Sequence, residues 1–331
     1  MPKVSVVMPA YNTPEIFLRS AVESVLAQTF VDFELLVIDD ASTADIQKIV
    51  SSYKDKRIKY RRMPKNGGAA AARNAGIKLA SGAYVAFLDS DDVCAAQRLQ
   101  KQVEYLDKHP DIGCVASAVD IMCNTKRSPK FPVFAADNEI KKYLLFKGCA
   151  FCQSSVMLRA EILKSHKLYY DSAYVPAEDY KFWLDLLPFT KFAILPDELV
   201  TYRFYDENIS NRQKKLQNSK CAEAQLKAIE KYYGIKWSDF GELQKFLTLD
   251  NVDAVDYPSV KKNIKKAIET LHRKGLSADD VSKMFQVRYK KRCYHTRTLK
   301  GQWQLLTSSM YRQLNLSFGW QFFCFITRGV L

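Results

Sequence analysis

Residues 83–92 read AYVAFLDSDD. The apolar run around Val85 and Phe87 fits a buried strand, yet it ends in three carboxylates, Asp89, Asp91 and Asp92, within four residues. Like charges this close repel, so the strand end needs either a cation among them or open water around them. Two readings stand side by side: a divalent-ion site at a strand terminus, with Asp89, Asp91 and Asp92 as hard oxygen ligands for Mg2+ or Mn2+, or a solvated acidic turn.

Outward from this stretch, the strand is the fourth in an alternating series. Val4-Ser5-Val6-Val7-Met8 reads as a buried parallel strand stopped by Pro9. Ile16, Phe17, Ala21, Val25 and Leu26 recur at helical spacing and predict a helix over 14–28. Residues 33–38 form a second strand ending at Asp39-Asp40, with Ser42 and Thr43 available to cap a helix over 45–53. Ile58-Lys59-Tyr60 is a short third strand, and Asn66-Gly67-Gly68 opens a small-residue helix through Leu79. This β-α-β-α-β-α-β order predicts an α/β protein with a parallel, doubly wound sheet. Ligands in such sheets bind beyond the carboxyl ends of the strands. Ala10-Tyr11-Asn12, Asp39-Asp40 and Asp89-Ser90-Asp91-Asp92 occupy three of those ends and are expected to converge on one crevice. Further on, the pattern predicts a helix over 96–108, strands over 112–118 and 152–158, and a helix from Glu178 that buries Phe182, Trp183 and Leu186. Its leading acids, Glu178 and Asp179, lie where the helix dipole favours negative charge.

The 331 residues are 47% hydrophobic, enough for a sizeable core and an appendage. Lys3 is followed by only a short apolar segment, Val4 to Met8, which is not a secretory leader, and no apolar run reaches the roughly 18 to 20 residues of a membrane span. A cytosolic protein, or one on the cytosolic face of a membrane, is expected. Eight scattered cysteines do not read as a disulfide scaffold. Cys149 and Cys152 form a C-x-x-C without a second pair or a His cluster to complete a zinc site, and read as ordinary buried cysteines on a strand.

The net charge of +14 is unevenly spread. Residues 1–210 hold 27 Lys+Arg against 26 Asp+Glu, whereas residues 211–331 hold 23 against 10, and no acid follows Asp280. A domain boundary is therefore expected near residue 210, with a basic, mainly helical region over 211–331. No nucleic-acid recognition motif accompanies the basic region. Phe318, Trp320, Phe322, Phe323, Phe325 and Ile326 crowd near a basic stretch, so an anionic membrane surface is the expected partner. Packing of these aromatics onto the rest of the chain, or onto a second copy in a homo-oligomer, is the alternative.

VSVVMPAYN, VIDDAS, NGGAAAARNAGI, AYVAFLDSDD and AEDYKFWLDLL, in this order over about residues 3–205, resemble the blocks of family 2 glycosyltransferases. The resemblance implies the GT-A fold, a Rossmann-like, mostly parallel sheet flanked by helices, over residues 1–210. It also implies inverting transfer from a nucleotide-sugar donor, here a UDP-sugar, with Mn2+ or Mg2+ as cofactor. The acceptor would be a glycan or lipid-linked molecule of bacterial surface polysaccharide or lipopolysaccharide synthesis, met on the cytoplasmic face of the inner membrane. Pro9, Ala10, Tyr11 and Asn12 resemble the loop that contacts the nucleoside. Asp39, with Asp40 beside it, resembles the acid that hydrogen-bonds the base, usually uracil, and Arg73 would sit against the nucleotide or its diphosphate. Asp89, Ser90 and Asp91 resemble the D-x-D motif, with Asp91 the leading metal ligand and Asp92 a helper. Asp179 resembles the catalytic base.

Plainer readings accompany each assignment. Tyr11 and Asn12 can be turn residues, Asp39 and Asp40 helix caps, Gly67 and Gly68 close-packing positions, Arg73 a surface ion-pair member, and Glu178 and Asp179 helix-start acids. A nucleotidyltransferase would be expected to carry a Gly- and Lys/Arg-rich phosphate loop where this chain has Ala10-Tyr11-Asn12, and a NAD-dependent dehydrogenase needs G-x-G-x-x-G there. A non-catalytic basic binding or scaffold protein on the same fold is the remaining alternative.

Overall fold

The computed structural model describes residues 1–123, 131–205, 212–241, 243 and 257–277. They fall into two compact units, one of the described residues within Met1–Leu144 and Cys149–Gln217, the other of Leu145–Gly148 with the described residues from Asn218 on.

The first unit follows the alternation read from the sequence: β1 (Val4–Ala10), α1 (Glu15–Leu26), β2 (Phe33–Asp39), α2 (Ile46–Ser51), β3 (Ile58–Arg62), α3 (Gly68–Leu79) and β4 (Tyr84–Phe87). Every residue of β1, β2 and β4 is buried, which is why their sequences run apolar without alternation. The four strands pair in parallel in the order β3-β2-β1-β4. Ala10 stands opposite Asp39 in register, so the polar ends of β1 and β2 begin side by side. Gly76 lets α3 lie directly on β1, since a Cβ there would come within 2.3 Å of Val7 Cγ1.

Beyond β4 the chain continues through β5 (Val93–Cys94), α4 (Arg98–Lys108), β6 (Ile112–Cys123), α5 (Asp137–Phe146), β7 (Met157–Arg159), α6 (Ala160–Ser165), α7 (Glu178–Leu186) and β8 (Lys191–Phe204). The eight-stranded sheet has the order β3-β2-β1-β4-β7-β6-β8-β5. The parallel, doubly wound expectation therefore holds only as far as β4. β7 runs antiparallel to both β4 and β6, and β5 antiparallel to β8, while β6 and β8 are parallel. The strand expected over 152–158 is instead a 3-10 turn, Gln153–Ser155, leading into the short β7. Buried polar side chains of α4 hold that turn against β4. Arg98 donates to the carbonyls of Phe87 at 2.8 Å and Val156 at 3.2 Å, and Gln102 Nε2 donates to Ser155 O at 2.7 Å. The cap of α2 is also corrected: Asp45 accepts from Lys48 N at 3.0 Å, and Ser42 is used elsewhere. Cys149 and Cys152 are both free thiols.

The second unit contains most of α8 (Lys214–Tyr233) and all of α9 (Tyr257–Arg273). Val260, Ile264, Ala267 and Leu271 recur along one face of α9 and are fully buried, and Trp237 donates its indole N–H to Leu226 O at 3.0 Å. Among the described residues no helix is long and apolar enough to cross a membrane. The acid-free stretch after Asp280 and the aromatic cluster from Phe318 to Ile326 lie outside the described residues.

Candidate functional site

Hydrogen bonds fasten the three polar strand ends to one another. Asn12, just past β1, has φ +49°, a left-handed conformation that asparagine tolerates better than most residues. Its Oδ1 accepts from Thr43 N at 2.8 Å and Ala44 N at 3.1 Å, and its own N–H donates to Ser42 Oγ at 2.9 Å. The Asn12 side chain thus ties the loop after β1 to the loop after β2. One residue on, the hydroxyls of Thr13 and Ser90 are 2.7 Å apart, joining the β1 loop to the end of β4. Pro9 and Ala10 are buried within β1, and Tyr11 at the loop tip is 53% exposed.

Asp39 and Asp40 already have full sets of partners. Asp39 Oδ1 accepts from Ser42 N at 2.9 Å, while Oδ2 accepts from the Tyr60 hydroxyl at 2.6 Å and Arg62 Nη1 at 2.8 Å. Burial pushes the Asp39 carboxyl up, but Ser42, Tyr60 and the Arg62 charge outweigh it and hold the group below its usual range. In return the Tyr60 phenol is pushed up to about 12, by burial first and the Asp39 hydrogen bond second. The Asp39 side chain has 0% exposure and Arg62 48%, so a nucleobase reaching for Asp39 has to move Arg62 or Tyr60 aside. Asp40 accepts from Gly67 N at 2.8 Å and Gly68 N at 2.7 Å, one oxygen to each, and so caps α3. Gly68 has φ +80°, which favours glycine.

The DSDD end of β4 divides into inner and outer carboxylates. Asp92 is fully buried: the Ser154 hydroxyl donates to one oxygen and Arg203 N to the other at 2.9 Å. Burial, then the charges of Asp91 and Asp89, push its carboxyl well up. Asp92 therefore braces β4 against the 3-10 turn and β8, and a role as metal helper does not suit it. Asp91 accepts from the Tyr205 hydroxyl at 2.9 Å, and its carboxyl is pushed up by burial and then by the charge of Asp89. Asp89 is 26% exposed and pairs with Arg73.

Arg73, on α3, is a buried bridge and not a surface ion-pair member. Its Nη2 meets Asp89 Oδ1 at 2.8 Å and its Nη1 meets Glu178 Oε1 at 2.9 Å. Burial works against its charge, but Asp89 and Glu178 outweigh burial and hold the guanidinium protonated. Asp179 follows Glu178 in the first turn of α7. Burial, then the charge of Glu178, push the Asp179 carboxyl up to about 6, with Arg73 pulling partly the other way and Asp89 adding to the rise. A carboxylate with this shift suits proton transfer near neutral pH.

Arg73, Asp89, Glu178 and Asp179 thus form one electrostatic cluster, with Asp91 beside it. Among the described residues no hydrogen bond or ion pair joins Asp39 or Asp40 to that cluster directly; the link runs through Asn12, Thr13 and Ser90. Tyr60, Arg62, Ser154, Glu178 and Tyr205 bond to these candidate residues without standing among the candidates read from the sequence. Only Glu178 had a visible sequence signal, its place in the Glu-Asp pair.

Among the described residues no three His, Cys, Asp or Glu side chains are grouped to hold a metal ion. Asp89 and Asp91 nevertheless offer two hard oxygen donors whose charges interact. That set fits Mg2+ or Mn2+ in the mode where one or two protein carboxylates share the ion with water and substrate phosphates.

Comparison with known proteins gives a consistent result. Residues 5–166 match the family described as Glycosyl transferase family 2. An uncharacterised glycosyltransferase of Methanocaldococcus jannaschii is 37% identical over 222 residues, covering 65% of this chain and 75% of that protein. A UDP-Glc:alpha-D-GlcNAc-diphosphoundecaprenol beta-1,3-glucosyltransferase of Escherichia coli, WfgD, is 35% identical over 184 residues, covering 56% of this chain and 69% of its own length. Among solved structures, that of S. aureus TarS in complex with UDP-GlcNAc superposes with a TM-score of 0.58 at 19% identity, covering 96% of this chain and 93% of that one.

Proposed function

The chain belongs to glycosyl transferase family 2 and has the GT-A fold, and from that premise we propose that it moves a sugar, with inversion, from a UDP-sugar to a lipid-linked acceptor. The observation that carries this reading is the position and charge state of Asp179. It is an acid shifted to about 6 at a helix start, joined through Glu178 and Arg73 to the carboxylates at the end of β4.

In this reading Asp179 takes the proton of an acceptor hydroxyl as that oxygen attacks the anomeric carbon. The new C–O bond forms while the bond from the same carbon to the diphosphate oxygen breaks, and the electron pair leaves with the nucleoside diphosphate. A single carboxylate base without a nucleophilic partner agrees with one direct displacement. Asp89 and Asp91 would hold Mn2+ or Mg2+, which when bound supplies positive charge against the leaving diphosphate. Pro9, Ala10, Tyr11 and Asn12 would form the nucleoside side of the site, with Tyr11 exposed at the tip of its loop. Asp39 would read the base once Arg62 or Tyr60 moves, Asp40 keeps the start of α3 in place beneath it, and Ser90 joins the two halves through Thr13.

The likeness to WfgD supports a UDP donor and a lipid diphosphate acceptor, and the basic residues 211–331 support attachment to an anionic cytoplasmic membrane face. A thermal-shift panel of nucleoside diphosphates and nucleotide sugars, with and without Mn2+, tests the assignment. UDP and UDP-sugars should raise Tm most, and more with Mn2+ present. A panel in which no nucleotide shifts Tm in either condition would overturn it.

A further inference from the structure

We propose that Arg73 serves the base and not the donor: its guanidinium is the positioning group that holds the start of α7, and with it Asp179, against the strand end carrying Asp89. The inference rests on the reading of Asp179 as base.

Three observations support it. Both Nη atoms of Arg73 are already paired, to Asp89 and Glu178, and the side chain is only 7% exposed. Its Nε is buried, so the guanidinium turns its two paired Nη atoms, not a free face, towards the strand end and the start of α7. A diphosphate seeking Arg73 would have to displace a carboxylate from a buried ion pair, which leaves that acid uncompensated.

Second, the segment leading into α7 is fixed by the same stretch of α3. The Arg73 guanidinium lies over the Tyr170 ring, 5.6 Å from its centroid, and Tyr170 stacks on Phe182 of α7 with centroids 4.2 Å apart. Next to Arg73, Asn74 exchanges two hydrogen bonds with the Tyr170 backbone, each 2.8 Å. Side chains on α3 therefore define where α7 begins.

Third, the charged and titratable groups facing Asp179 are Glu178 beside it, Asp89 from β4, Tyr170 from the preceding segment and Arg73 from α3. Two are acids that disfavour ionisation of Asp179, and Arg73 is the opposing cation. Removing that cation lets the two acids dominate, so the base should stay protonated to a higher pH.

The experiment uses the full chain with Mn2+ and the nucleotide sugar giving the largest shift in the thermal panel, with water as acceptor. UDP affinity is measured by calorimetry. Arg73→Gln should lower kcat by about tenfold or more, a loss typical of a misplaced catalytic group. Its donor KM and UDP affinity should change by less than about threefold, and the acidic limb of its pH–rate profile should move to higher pH. Arg73→Lys, which keeps the charge without the double bridge, should leave the limb near its original position while kcat stays depressed. If Arg73→Gln instead weakens UDP binding and raises donor KM as much as it lowers kcat/KM, with the limb unmoved, Arg73 is a donor ligand and the proposal fails.

Should Arg73→Gln not fold, Arg73→Lys decides: a depressed kcat with donor KM and UDP affinity within about threefold of the wild type supports the proposal, while weaker UDP binding and a donor KM raised as much as kcat/KM falls overturns it. Full activity of Asp179→Asn would instead sink the base assignment itself, which separates that failure from failure of the inference about Arg73.

Discussion

At the residue scale, the consequential group is the largely buried carboxylate of Asp179. In the proposed role of base Asp179 must be ionised to accept a proton, and its carboxyl is pushed up to about 6, chiefly by burial and then by Glu178. Activity is therefore expected to fall as pH drops through about 6, with a single acidic limb in kcat. Asp179→Asn should leave UDP binding nearly intact and reduce transfer by about 10² to 10⁴, the usual contribution of a general base. Calorimetry with UDP and a rate assay on the same sample check both halves. Sequence identified Asp179, Asp89 and Asp91 as candidates because their motifs are local. It did not identify the partners of Asp39, because these lie across the β2–β3 ladder: Arg62 stands opposite Asp39 only through a register that no local motif encodes. Arg73 was visible as a conspicuous arginine in AAARN, but its two carboxylate partners are 16 and 105 residues away in the chain.

At the scale of elements, two contacts should report on how the parallel half of the sheet is held. Gly76→Ala forces a Cβ into Val7 and should destabilise by about 1–3 kcal/mol, measured as a lower midpoint in urea. Glu34, on β2, accepts from Ser5 Oγ of β1 at 2.5 Å, from Lys59 of β3 at 2.6 Å and from Ser81 N ahead of β4 at 2.9 Å. Burial pushes its carboxyl up, but Lys59, Ser5 and Ser81 outweigh burial and bring it down to about 2. A depressed folded-state value means that the stabilisation is complete above the ordinary carboxylate range and is lost as pH falls from about 4.5 towards about 2. Glu34→Gln should flatten that part of the stability–pH curve, while an unchanged curve would mean the cluster contributes nothing. β1, β2 and β4 were legible because each is buried throughout and reads as a mostly apolar run, whereas the half-exposed β3 showed only as Ile58-Lys59-Tyr60. β8 was not, because Pro196, Asp197 and Glu198 interrupt it like a turn. The ladder passes from Ser117↔Leu195 to Ala118↔Glu198, so Pro196 and Asp197 bulge out while the strand continues. The antiparallel entry of β7 was equally hidden, since the turn before it is bonded by Arg98 and Gln102, more than 50 residues earlier in the chain.

At the scale of the whole molecule, charge is divided unevenly along one chain. Residues 1–210 are near neutral and contain every candidate site residue, whereas residues 211–331 hold 23 Lys+Arg against 10 Asp+Glu. Each Lys or Arg near an anionic bilayer contributes about 1 kcal/mol, reduced by salt. The full chain should therefore sediment with vesicles containing phosphatidylglycerol at low ionic strength and less so at high salt. Truncation near residue 300 should weaken this; sedimentation that stays the same would remove the C-terminal stretch from the account of attachment.

The capping of α3 by Asp40 bears on what a departing anion can find. In many nucleotide-binding folds the amino end of a helix greets phosphate directly, but here the amides of Gly67 and Gly68 are already satisfied by a resident carboxylate. Under the proposed function, a pyrophosphoryl group would find that doorway taken, and its neutralisation would fall to a divalent cation held by Asp89 and Asp91. Turnover in such a protein would be governed by ion supply as much as by sugar supply.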